Sequence, residues 1–401
     1  MDCGNPGLLN SNPLRFITAE KLITNAGIPA FEQTAVVVDG SGMVLDICDA
    51  GSLDPLKIEN YQGTLVPGFV NAHCHLELSF LKGKIREGLG LHSFILKVEK
   101  LKSKEQEEIL AAIEIYDSNM FNNGIVATGD ICNTNMSFNV KVSSPMYYHN
   151  FLEIYAFDPA RAEVAFRNGL ILADSLEEHK ITNGVNYSIS PHANYSASQK
   201  LLNLITNYSK SHPPLLSIHS LESEDENYFF KEGKGKLLER FKLWGVDTKH
   251  WQTPNCSSFK WMLPQIPTDR KLQLVHNTYV TPSEISWAEA SHKNLYWCLC
   301  PNANLFIEKK LPPAMELLQA KSCITLGTDS LASNHDLSIL SEMKTIRSNF
   351  PHIELHEIVR WSSLNGAKYL GIDAIFGTIE NGKRPGLNIL NENWTSVKKI
   401  A

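Results

Sequence analysis

The chain has 401 residues, 43% of them hydrophobic and 20% charged, with a formal net charge of -6. That composition is ordinary for a soluble globular protein, and the length is too great for one small core. The acidic balance argues against a surface built for nucleic acid or anionic membrane. No apolar run reaches the roughly 18–20 residues that span a bilayer, so small-molecule partners are expected.

The N-terminus, "MDCGNPGLLNSNPLRF", lacks the basic and apolar regions of a secretory signal, which makes a cytoplasmic location the expectation. The eight cysteines, including Cys298 and Cys300, form no CxxC pair. In a reducing compartment they read as small buried apolar residues, not disulfides. Residues 14–66 have the texture of a small β unit. There "AVVVDGSGMVLDIC" carries two apolar runs around Asp39-Gly40-Ser41-Gly42, a hairpin signal.

After Pro67 short apolar strands alternate with amphipathic helices. Eight strands are expected: "TLVPGFV", "GIVATGDI", "MYYHNFLEI", "GVNYSISP", "PLLSIH", "KLQLVHN", "NLYWCLCP" and "CITLGTD". Between them, "SKEQEEILAAIEIYDSNMFNN" has helical spacing and is followed by Gly124. "SASQKLLNLITNYSK" opens with a capping box from Ser196 to Gln199. "TPSEISWAEASHK" opens with another, Thr281 to Glu284, with Pro282 at the first helical position. This alternation predicts a (β/α)8 barrel over residues 67–374. A doubly wound nucleotide-binding sheet would need a Gly-rich phosphate loop after its first strand, and none is present. From residue 375, "FGTIENGKRPGLNIL" returns to a β pattern, so 1–66 and 375–401 are expected to form one split β-sandwich domain.

A barrel enzyme carries its chemistry at the C-terminal ends of its strands. The first expected strand leads to His73 and His75, the fourth to His192, the fifth to His219 and Glu222, the sixth to His276 and the eighth to Asp329. A single histidine at a strand end is more often structural than a ligand. Residues i and i+2 of a strand share a face, however, so His73 and His75 both reach one ion while Cys74 turns away. His219 and Asp329 complete three nitrogens and one carboxylate with room for water, a catalytic metal pattern.

"PGFVNAHCHLE", "SPHANYS", "HSLES", "LVHN" and "GTDSLASN" together resemble the amidohydrolase superfamily, over about residues 14–390. The nearest branch is that of the metal-dependent nucleoside and nucleobase deaminases, with the aminofutalosine, methylthioadenosine and S-adenosylhomocysteine deaminases and related chlorohydrolases. The resemblance implies one divalent metal ion, Zn2+ or Fe2+, held by His73, His75, His219 and Asp329. Where binuclear relatives carry a carboxylated lysine after strand four, this chain has His192, which favours a single metal. The chain departs from many relatives at Cys74, where they have Thr, and at Asn388 of "RPGLN", where they have Asp. The acidic residue expected to hold a ribose has only a weak candidate, Glu99 in "FILKVEK", for which a solvated helix position is the competing reading.

The resemblance also implies roles. A divalent cation lowers the pKa of bound water from about 15.7 to near 7. Asp329 would take that water's proton, Glu222 would protonate the ring nitrogen beside the attacked carbon, and His276 would orient the nucleophile. His192 would hydrogen-bond the substrate, and Ser333 would contact it or fix its loop. Asn304 reads as structural at a strand end, while Phe80, Leu81 and Phe94 read as core. The expected activity is hydrolytic deamination of a 6-aminopurine nucleoside, an aminofutalosine or adenosine derivative. The alternatives are hydrolysis of another ring C–N or C–Cl bond, by a guanine- or cytosine-type deaminase or a chlorohydrolase, and a non-catalytic binding barrel. Relatives are often dimeric or larger, so a homodimer is a further expectation by analogy.

Overall fold

The computed structural model describes residues 13–27, 33–101, 105–179, 186–208 and 215–401. Most of the N-terminal segment read for a signal, and with it Cys3, lies outside them. Strands β1 (Arg15–Leu22), β2 (Thr34–Val38), β3 (Val44–Asp49) and β4 (Ile58–Pro67) precede eight strands that alternate with helices. These are β5 (Phe69–Cys74), β6 (Ile125–Cys132), β7 (Tyr147–Ile154), β8 (Tyr187–Pro191), β9 (Leu215–Ser220), β10 (Lys271–His276), β11 (Leu295–Leu299) and β12 (Cys323–Leu326). β13 (Leu387–Leu390) and β14 (Val397–Lys399) close the chain.

The two ends of the sequence meet in one sheet. Its six strands run β14-β13-β4-β1-β2-β3, and β13 pairs antiparallel with β4. The expected hairpin is present, with β2 antiparallel to β3 and Asp39 accepting the backbone N–H groups of Ser41 and Met43. Ile17, Val36, Val38, Leu65, Leu387 and Ile389 pack together as the core of this unit. Among the described residues the hydrogen bonds define a single sheet here, where the sequence pattern predicts a two-layered sandwich.

One expected strand divides. "TLVPGFV" was read as the start of the barrel, but Thr64–Pro67 ends β4 in the six-stranded sheet and β5 begins at Phe69. Gly68 is the crossing point. Its N–H reaches the carbonyls of Pro385 and Gly386, and a Cβ there would lie 2.4 Å from a Val126 methyl and 2.6 Å from the Pro385 carbonyl oxygen. Only glycine permits so close an approach of two chain segments.

β5–β8 form one parallel four-stranded sheet and β9–β12 another. Strands buried on both faces read as continuous apolar runs, which is why these segments stood out in the sequence. At both seams between the sheets there is an isolated parallel bridge, Cys74 with Asp329 and Ala193 with His219. The amide N–H groups of Thr328 and Asp329 donate to the His73 carbonyl, at 2.9 and 3.1 Å, and that of His219 to the His192 carbonyl at 2.9 Å.

The helices follow their apolar spacing. Pro282–Ser291 starts with the Thr281–Glu284 capping box, both reciprocal bonds being made. Gln106–Asn122 runs up to Asn123, and Gly124 follows at φ +80°. The cap expected at Ser196 is instead at Ser198, whose hydroxyl accepts from the Leu201 N–H at the start of Gln199–Tyr208. Ser196 lies in a short 3-10 turn, where its hydroxyl accepts from the Ala193 N–H and is bonded to His192. Asn388 links the six-stranded sheet to the start of β6 by donating to the Gly124 carbonyl at 2.9 Å. That contact leaves no room for a side chain at 124: a Cβ would lie 2.4 Å from Asn388 Nδ2. Gly124→Ala should therefore cost about 1–3 kcal/mol, from overpacking and the left-handed backbone together. The check is urea unfolding, where a lower midpoint at unchanged slope is expected and an unchanged midpoint would contradict the assignment.

Candidate metal centre and active site

Four side chains that are far apart in sequence converge beyond the strand ends. His73 and His75 extend from the end of β5, His219 from β9, and Asp329 from the turn after β12. The His75 Nε2 lies 3.2 Å from His73 Nε2 and 3.3 Å from His219 Nε2. Asp329 Oδ1 is 3.6 Å from His73 Nε2 and 3.3 Å from His75 Nε2. Ligands held at about 2.0–2.1 Å from a tetrahedral ion lie about 3.3 Å from one another, so this spacing fits one ion. Burial lowers the pKa of His73 well below the ordinary range and that of His219 less far, which leaves lone pairs facing lone pairs unless a cation lies between them. The residues present fit a divalent metal.

Backbone geometry aims these groups. Asp329 has φ +56° and His276 φ +75°, a left-handed conformation that a non-glycine residue adopts at a cost. His219 Nδ1 is 2.7 Å from the His192 carbonyl, and its donation there leaves Nε2 for the metal. Ser333, buried, donates its hydroxyl to Asp329 Oδ2. Ser333 also contacts the Ser330 carbonyl within the loop, while the cap of the next helix, Ile339–Asn349, is Ser338. Cys74 is fully buried in the apolar core, facing away as its alternation requires.

The remaining candidates surround a cavity of about 660 Å3 that reaches the metal ligands. Glu222, His276 and His192 line it. Glu222 Oε1 is 3.7 Å from His276 Nε2. Burial, reinforced by the charge of Asp329, pushes the Glu222 carboxyl well above the usual carboxylate range. Burial would also raise Asp329, but the hydrogen bond from His73 and the charge of His75 reverse it and hold that carboxyl well below its usual range. The two carboxyl groups are thus driven in opposite directions, Glu222 up and Asp329 down. Burial lowers His276 to a pKa of about 3 and His192 to about 4, so both are neutral imidazoles. Glu99 is exposed on the helix Leu91–Leu101 and lies at the rim of the same cavity. Phe94 both packs in the core and lines the cavity, while Phe80 and Leu81 are core only.

Glu153 and the Lys141–Asp130 pair escaped the sequence pattern, and Asn304, expected at a strand end, lies on a helix. Glu153, at the end of β7, lines the cavity 3.6 Å from His219 Nδ1 and accepts from Asn133 Nδ2 at 3.0 Å. The strand-end rule applied to "NFLEI" would have found it. Asn304 is on the helix Pro301–Glu308, and its amide donates to Thr278 at 2.7 Å and to His276 Nδ1 at 3.3 Å. This directs His276 Nε2 toward Glu222. Below the ligand pair, Lys141 is fully buried against Asp130, whose other oxygen accepts the Leu76 N–H. No local signal marks that ion pair, because it joins a helix to a strand end through the interior.

Among curated relatives, the chain is 27% identical over 395 residues to an adenosine deaminase of Helicobacter pylori, covering 94% of this chain and 92% of the relative. Among solved structures, it superposes on the Helicobacter pylori aminofutalosine deaminase in complex with methylthio-coformycin with a TM-score of 0.79 at 22% identity, over 94% of this chain and 92% of that one. An adenosine deaminase from Xanthomonas campestris with bound zinc gives 0.69 at 18% identity, over 94% and 84%. These likenesses place the alternating strands and helices in a TIM-barrel-type α/β fold. With residues 64–400 matching the family as well, the chain belongs to the amidohydrolase family.

Proposed function

We propose that the protein removes the 6-amino group of a purine nucleoside, an aminofutalosine or adenosine derivative, as ammonia, using one divalent metal ion, Zn2+ being the first choice. The observation that carries this reading is the convergence of His73, His75, His219 and Asp329 on one point of a cavity that Glu222, 3.7 Å from His276, also lines. A cation on His73, His75, His219 and Asp329 would supply a bound water acidified to near neutrality. Asp329, ionised, is placed to take the proton of an attacking water. Glu222, protonated, donates to the ring nitrogen next to the attacked carbon, which keeps negative charge from accumulating on the ring. His276 presents Nε2, with Asn304 on its other nitrogen, to orient the attacking oxygen. His192, its Nδ1 bonded to Ser196 at 2.9 Å, keeps its other nitrogen for the substrate ring. Glu99, exposed at the rim, is the acceptor for ribose hydroxyls.

The same reading treats residues 67–374 as the catalytic (β/α)8 barrel, closed at the two bridged seams. The strands before and after it form the small β domain, as the six-stranded sheet joining β4 and β13 supports.

Two measurements test the proposal. The first is ammonia release over a panel of 6-aminopurine nucleosides at matched metal loading. Asp329→Asn should abolish it, and Glu222→Gln should lower kcat by about 10²- to 10⁴-fold with metal content unchanged. Silence of the wild-type protein across the panel would sink the deaminase reading. The second is metal stoichiometry by chelation and zinc titration. One ion per chain is expected, and Ser333→Ala should weaken affinity by about 10- to 100-fold, because the Asp329 carboxylate loses the donor that orients it. Wild-type affinity in that variant would remove Ser333 from the site.

A further inference from the structure

Under the ligand pair lies a buried charge pair that no step of the deamination uses. Asp130, on β6, pairs with Cys74 of β5, the residue between the two ligand histidines. Its side chain is fully buried, and so is that of Lys141, whose Nζ is 2.5 Å from Asp130 Oδ2. Lys141 comes from the helix Phe138–Ser143 and also reaches Asn150 Oδ1 at 2.9 Å and Cys132 Sγ at 3.0 Å. Burial would lower its pKa, but the charge of Asp130 reverses this and holds it above the ordinary value.

An ion pair in a protein interior gains little stability over apolar side chains of the same size, because both charges give up their hydration. This one has another use. Asp130 Oδ1 accepts the N–H of Leu76 at 2.9 Å. Leu76 follows His75 directly, so the direction of that N–H is set by the His75 ψ angle. His75 has φ -125° and ψ 77°, outside both the strand and the helix values, and here the chain leaves β5 for the 3-10 turn Leu76–Leu81. On the other side, the His75 N–H meets the Asp329 carbonyl at 3.4 Å. The backbone angles of one ligand are thus fixed from both sides. Glu77 adds a second tie to the end of β6, accepting the N–H groups of Asn133 and Thr134 at 3.2 and 3.1 Å.

We propose that Asp130 is a positioning residue for the metal centre, holding His75 in its ligand orientation before any ion binds. Lys141 neutralises the carboxylate and fixes the direction from which it meets the Leu76 N–H. This rests on the reading of the four ligands as a metal site.

The test is zinc affinity, read by competition with a chromogenic chelator, in the full-length protein and two double variants. Asp130→Asn with Lys141→Met removes both charges but keeps an oxygen for the Leu76 N–H, and it should retain most of the wild-type affinity. Asp130→Leu with Lys141→Met fills the same space without an acceptor, and it should lose about 10- to 100-fold. Equal affinity in the two variants, whether kept or lost, overturns the proposal. Hydrogen exchange on the wild-type protein decides if a variant fails to fold. In the chelator-treated chain the Leu76 amide should exchange as slowly as the amides of β6. Fast exchange there, slowed only by added zinc, overturns the proposal. If the wild-type protein binds no zinc, the metal reading falls on that result, and the exchange of Leu76 still decides whether Asp130 holds the His75 arm.

Discussion

The site depends on a short stretch of backbone pairing between β5 and the turn after β12. There the His73 carbonyl accepts two N–H groups, from Thr328 and Asp329, and Cys74 bridges to Asp329. That pairing brings the first two ligands and the last one together although some 250 residues separate them. It also sets Asp329 in a left-handed conformation, so the carboxylate turns back toward His73 and His75. At the other seam the bridge of Ala193 with His219 does the same for the third imidazole and for His192. Ligand positions set by backbone hydrogen bonds are stiff, and a metal centre requires stiffness of a few tenths of an ångström.

Around this frame the electrostatics divide the work. Dry surroundings push imidazoles toward the neutral, metal-binding form and push Glu222 toward the protonated form. The imidazoles in turn keep Asp329 ionised. The cavity therefore holds two carboxyl groups pushed in opposite directions, which neither would be in water. The supporting contacts are single hydrogen bonds: Ser333 on Asp329, Asn304 on His276, Ser196 on His192. Asp329, His276 and His192 are thereby each held in one orientation.

The main architecture was legible because strands buried on both faces produce unbroken apolar runs, and because helix starts carry local chemistry such as Thr281 with Glu284. The errors came where two segments compete for the same signal. "TLVPGFV" is one apolar run, yet Gly68 divides it between two sheets, since the deciding contact is with Pro385 and Val126, far along the chain. Ser196 and Ser198 are both good caps, and the choice between them follows from the bond that Ser196 makes to His192.

The sequence by itself singled out His73, His75, His219 and Asp329, which the structure brings together as a candidate metal-binding cluster, since spacing within "HCH" and position at strand ends are local properties. It also determined the split of the β domain between the chain's two ends. The tertiary structure alone decided the protonation states, because they depend on burial and on neighbours contributed by other strands. It likewise decided the supporting roles of Glu153, Asn304 and Ser333 and the exposure of Glu99 at the cavity rim. Arg240 belongs to this second group. In the sequence it is one arginine in an amphipathic helix, and only the tertiary structure buries it against Tyr195 and Trp244.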